Sequence, residues 1–125
     1  MKRPSTRAKS LRIPAQKWSD IEERYRKLSV EHGFGGEMLT LVRHIRTNGM
    51  ADRLFAYTSM HELIIGLYPE LERGIETLKV AFDVKNGNYL LDYHASPALN
   101  PEVTRVYSRD VGLRKFDDFI GCLRW

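Results

Sequence analysis

Two runs of the chain bring chemistry-bearing side chains together at strand spacing. Residues 77–84 and 89–95 alternate apolar and polar side chains around Asn86-Gly87, a dipeptide that tolerates the positive φ angles of a two-residue hairpin turn. Setting Lys85 opposite Asn88 places Val84 against Tyr89, Phe82 against Leu91, Val80 against Tyr93 and Leu78 against Ala95 on a core-facing side. The other side pairs Asp83 with Leu90, Ala81 with Asp92 and Lys79 with His94. Lys79, Asp83, Asp92 and His94 therefore share one polar sheet face. A carboxylate beside an imidazole is the pairing from which acid–base chemistry is built. The same four residues also suit a solvated contact surface, and partner contact centred on Lys79, Asp92 and His94 is the expected use.

Other chemistry-bearing residues make weaker patterns. His61-Glu62 opens like a zinc-peptidase helix, but Ile65 stands where the second histidine belongs, so the motif fails. The four histidines, at 32, 44, 61 and 94, show no spacing that by itself forms a metal site. An enzyme would need remote residues such as His61, Asp92 and His94 to converge on one pocket. Gly33-Phe-Gly-Gly36 leads into a helix start, where backbone N–H groups favour anions. It lacks the lysine and hydroxyl of a phosphate loop, and reads as a helix stop followed by a tight link. The single cysteine, Cys122, excludes an intrachain disulfide and suits a reducing cytoplasm. Among Phe119, Ile120 and Leu123 it reads as a small core residue. No cofactor and no metal is implied.

Charge is distributed unevenly along the chain. The net +4 of these 125 residues comes from residues 1–17, where Lys2, Arg3, Arg7, Lys9, Arg12 and Lys17 meet no carboxylate; the remainder has fourteen cations against sixteen anions. The leader reads as a flexible basic tail that could serve as an electrostatic arm for nucleic acid, and residues 18–125 as one slightly acidic domain. The longest apolar run, Leu63 to Tyr68, is far below the roughly 20 residues of a membrane-spanning helix.

The elements that must position these residues follow from periodicity. Trp18, Ile21, Tyr25 and Leu28 make an apolar stripe over a first helix at about 19–31, and Ser19 with Glu22 has capping-box spacing. Met38, Leu41, Val42 and Ile45 repeat the step over 36–47, where Asn48-Gly49 supplies a left-handed stop. Residues 53–58 and 62–68 are short strands apolar on both sides, and 69–76 reads as a loop. After the hairpin comes a short strand at 103–108, followed by a helix with Leu113, Phe116, Phe119, Ile120 and Leu123 on one stripe, capped near Asp110. The order predicts an α+β domain: two N-terminal helices, an antiparallel meander of four to five strands, and a C-terminal helix, packed in two layers.

Strands apolar on both sides need cover opposite the first two helices, from the C-terminal helix or from another chain. The expected function is therefore non-catalytic protein binding, to a partner protein or a second copy. Small immunity proteins and specialised chaperones have this size and architecture, and a slightly acidic body complements a basic partner.

Overall fold

A computed structural model describes residues 12–72, 76–95 and 101–125. Strand β1 (Arg12–Pro14) leads into helices α1 (Trp18–His32) and α2 (Gly36–Thr47), then a 3₁₀ turn at Met50–Asp52. Strands β2 (Phe55–Ser59), β3 (Glu62–Gly66), β4 (Glu70–Glu72), β5 (Thr77–Asp83), β6 (Asn88–His94) and β7 (Val103–Ser108) follow, and helix α3 (Gly112–Leu123) closes the chain. Five strands form one antiparallel sheet in the order β2-β3-β5-β6-β7, while β1 and β4 make a separate two-stranded ribbon. The fold is α+β, with helices at both ends of the sequence and a meander between them.

The first helix starts one residue earlier than Ser19. Its N-cap is Lys17, in extended conformation and without a side-chain cap bond, so the Ser19–Glu22 capping box does not form. Tertiary contacts explain the shift. The Trp18 indole N–H donates to the Leu54 carbonyl (2.9 Å), fixing Trp18 against the sheet. Glu22 instead accepts from Arg46 (2.7 Å) and Arg43 (3.2 Å) on α2. Partial burial alone would raise the Glu22 pKa, but the two guanidinium groups outweigh it and hold the carboxyl below its usual value. Helix α2 spans the residues its stripe predicts. The link before it turns on Gly33 (φ 72°) and Gly35 (φ 92°), conformations that favour glycine, and a Cβ at Gly35 would also crowd Leu28.

The central hairpin is displaced by two residues from the two-residue-turn register. Asp83, not Lys85, faces Asn88; Phe82 faces Tyr89, Val80 faces Leu91, Leu78 faces Tyr93, Lys79 faces Asp92 and Thr77 faces His94. The cause is Asp83, whose carboxylate accepts from the Asn86 amide (2.7 Å) and backbone N–H (3.3 Å). That starts the turn two residues early, leaving a four-residue loop closed by the Gly87 N–H to the Asp83 carbonyl (2.7 Å). An even shift preserves which residues share a face, so the polar face survives while its pairs change.

The three described α-helices lie on one side of the sheet. Leu63, Ile65, Leu78, Val80, Tyr89 and Leu91 point from the strands into a core shared with Ile21 and Tyr25 of α1, Leu41 and Ile45 of α2, and Phe116 and Ile120 of α3. Asp117 of α3 holds His44 of α2 through its two oxygens (2.8 and 3.0 Å). Helix α3 therefore does not cover the far side of β2 and β3, one of the two sources of cover the sequence suggests. Its N-cap is Val111, with no side-chain cap from Asp110. Trp125 is buried and closes the end of the core against the Tyr93 ring.

Two further expectations change. Residues 69–76 are not all loop, because β4 pairs with β1, residues the sequence assigns to the leader. Cys122 is exposed. The helical step explains this: two residues past Ile120 and six past Phe116, position 122 turns well away from the stripe those residues define.

Candidate protein-docking face

Strand register alone determines what the far side of the sheet displays. Directly opposed residues of antiparallel strands share a face, so one row across β2, β3, β5, β6 and β7 reads Tyr57, Ile64, Lys79, Asp92, Thr104. The adjacent row holds Ser59 and Glu62, then Ala81, Leu90 and Val106. Beyond the first row, on the other side, stand Phe55 with Gly66, and Thr77 with His94. No described helix packs over these rows. Ile64 is buried without joining the helix-side core, Ala81 and Leu90 are half-buried, and Val106 is 54% exposed. The face thus sets an apolar row, Ala81, Leu90 and Val106, beside a middle row in which Ile64 is followed by the charged pair Lys79 and Asp92.

Its electrostatics are mildly acidic. Glu62, Asp83 and Asp92 stand against Lys79, whose ammonium lies 3.9 Å from Glu62. Both side chains of that pair are over one-third exposed, so water screens them and the bond adds little to folding. Asp92 directly faces Lys79. Asp83 is committed elsewhere: the Asn86 side chain, then its backbone N–H, hold the Asp83 carboxyl below the usual aspartate range, and its role is to shape the turn.

The structure brings the four sequence-selected residues onto one face but not into one cluster. Lys79 and Asp92 are direct neighbours, and His94 follows Asp92 two residues along the same strand. Asp83 and His94 sit at opposite ends of the hairpin. His61 lies in the β2–β3 turn with its ring edge-on to Phe34 (5.0 Å). Four residues of β3, or about 13 Å, separate the row after His61 from the row carrying His94. His61, Asp92 and His94 therefore do not gather around one pocket. Among the described residues, no group of three or more His, Cys, Asp or Glu side chains is placed to hold a metal ion. Of the leader residues, Lys2, Arg3, Arg7 and Lys9 lie outside the described residues, as does the Arg12 side chain, and Lys17 is the exposed cap of α1.

Of the face's apolar residues, Ala81 and Leu90 fall on the side that alternation assigns to the polar residues, whereas Ile64 and Val106 carry no signal of their own: residues 62–68 are apolar on both sides, and Val106 sits in a short strand. The His44–Asp117 pair has no local signature, its members standing 73 residues apart. Although its chemistry is half of a general-base dyad, its only other described hydrogen-bond partner is Asn48, and it ties α2 to α3.

Fold and face together define an open-faced, two-layer α+β protein. Compared with protein-family models, curated proteins and solved structures, the chain matches none.

Proposed function

We propose that this is a non-catalytic protein-binding module, which docks a folded, basic partner protein on the open face of its sheet. The single observation that carries this reading is the row Ala81, Leu90, Val106 beside Ile64, over which no described helix packs, bordered by a carboxylate excess at Glu62, Asp83 and Asp92. Apolar area of this kind gains free energy when covered, at roughly 25 cal/mol per Å², and the flanking charges select which surface covers it. Basic character in the partner follows from the sign of that excess. The slightly acidic body outside the leader points the same way. Neutralising or escorting such a partner in the cytoplasm, as an immunity-type or chaperone-like protein does, is the biological form we assign. Among the described residues, no helix is long and apolar enough to cross a membrane.

The test is capture from native extract with the full chain and with Leu90→Lys and Val106→Glu, followed by reconstitution from purified components. One basic protein should bind stoichiometrically to the wild type and to Val30→Glu, an exposed change on α1, but not to either face variant. Unchanged binding by both face variants would refute the reading. So would salt-sensitive binding of nucleic acid that disappears on removal of residues 1–11 while no protein is retained; that result would favour the basic leader as the functional element.

A further inference from the structure

The two edges of the sheet are treated differently. At one edge, Gln16 closes β2: its backbone N–H donates to the Ala56 carbonyl (2.8 Å), and its side-chain oxygen accepts from the Thr58 N–H (3.2 Å) and hydroxyl (3.1 Å). The other edge is β7, and no described strand pairs with its outer flank. An unpaired strand flank presents a row of backbone donors and acceptors, which natural proteins usually cover or blunt. Residues 104–106 are exposed, and the strand contains neither proline nor lysine.

Beside that edge runs a groove of about 310 Å³. The alternating residues Val103, Arg105 and Tyr107 of β7 form one wall, and Lys115, Phe119 and Cys122, at helical steps along α3, form the other. The size falls at the lower end of ligand clefts, enough for one or two side chains of an extended chain. Its charge is unbalanced. Arg109, at the hairpin end, has Glu37 as a partner (3.1 Å), but among the described residues Arg105 bonds only the neighbouring Thr104 carbonyl, and Lys115 rests over the Tyr107 ring (5.9 Å). Asp118 is the single carboxylate lining the groove. Two cations above an aromatic floor favour an apolar side chain next to an anionic one.

From the free edge, the adjacent groove and its charge, we infer a second binding site: an extended acidic–apolar peptide segment of a partner protein adds as a strand to β7. Its backbone pairs with the strand's outer flank, and alternate side chains enter the groove beneath α3. Strand addition of this kind divides the work, with main-chain hydrogen bonds supplying affinity and the groove supplying selectivity. A second copy of the chain fits the edge less well. Same-face residues must oppose each other, and centring the pairing on residue 105 sets Arg105 against Arg105. Centring it on residue 106 frees that clash but brings no carboxylate to Arg105, because Tyr107 of the second copy would then face it. This site is separate from the open face and stands without it.

The test selects binders from a library of short random peptides against the full chain. Peptides carrying apolar residues at alternate positions next to Asp or Glu should be enriched. An enriched peptide should slow amide exchange in residues 103–108, and lose about tenfold or more of its affinity for Arg105→Glu and for Lys115→Glu. It should bind Leu90→Lys as tightly as wild type, which separates this site from the docking face. Four results would overturn the inference: no enrichment; enrichment of acid-free sequences; exchange protection elsewhere in the chain; or a dimer in sedimentation whose β7 amides are already protected.

Discussion

The two faces of one sheet are built from the same strands yet carry opposite obligations. Toward the helices, Leu63, Ile65, Leu78, Val80 and Leu91 are at most 1% exposed. Even the phenols there are held neutral. Burial first, then the Glu37 carboxylate, pushes Tyr89 up to about 12, and its hydroxyl donates to the Glu37 carbonyl (2.9 Å). On the far face Ala81 and Leu90 stand half-buried and Val106 exposed, beside a Lys79–Glu62 pair that is long and open to water. The comparison teaches that apolar character does not define a core. A core is defined by what packs against it, and the same strand can serve folding on one side and recognition on the other.

The comparison breaks most sharply where a leucine is removed from each side. Leu78→Ala opens a cavity among fully packed neighbours and should cost about 2–5 kcal/mol. Leu90→Ala removes the same atoms from a half-exposed row and should cost less than about 1 kcal/mol. Urea unfolding of the two variants checks the pair. Equal losses would mean that the open face is packed after all.

Helix α3 offers a second, smaller contrast through two glycines. Gly112 is buried where a Cβ would overlap the Tyr89 ring, and that ring cannot retreat, being held edge-on to Phe82 (4.9 Å) and anchored at its hydroxyl. Gly112→Ala should destabilise by about 1–3 kcal/mol through overpacking. Gly121 is exposed, with nothing within 4 Å of a built Cβ. Gly121→Ala should stabilise by up to about 1 kcal/mol, because alanine loses less backbone freedom in a helix. Melting temperatures moving in opposite directions would support the placement of α3; a shared sign would contradict it.

Periodicity made much of this legible. The α2 boundaries, the β7 boundaries and the α+β order follow from apolar spacing, because each element buries one stripe and the stripe is local information. What failed was whatever depended on a distant partner. The Ser19–Glu22 cap looked self-sufficient until Arg43 and Arg46 competed for Glu22. Asn86-Gly87 signalled a two-residue turn, yet the Asp83 side chain enlarged it. The β1–β4 ribbon joins Arg12–Pro14 to Glu70–Glu72 across more than fifty residues, and neither segment is periodic enough to announce itself. Lys79, Asp92 and His94 share a face in the sequence pattern and in the sheet alike, because alternation survives an even register shift. The groove beside β7 was not, because it needs a strand and a helix to be docked before its two walls meet.

The smallest stability effect sharpens the contrast most, because it separates folding from recognition at one residue. Asp92 faces Lys79 across the hairpin, but among the described residues it has no hydrogen bond or ion pair, and it lies on the side that no described helix covers. Asp92→Asn keeps the shape and removes the charge, so the unfolding free energy should change by less than about 0.5 kcal/mol. Recognition of a basic partner should respond differently. Long-range attraction sets the encounter rate, so the variant should associate several-fold more slowly at low salt, and the difference should shrink as ionic strength rises and the Debye length falls toward roughly 3 Å at 1 M. Stopped-flow association with the captured partner, over a series of salt concentrations, reads this directly. A salt-independent loss, appearing only in dissociation, would mean that Asp92 makes a desolvated contact. An unchanged rate would remove the electrostatic argument for a basic partner without touching the stability expectation, because Asp92 lies outside the helix-side core.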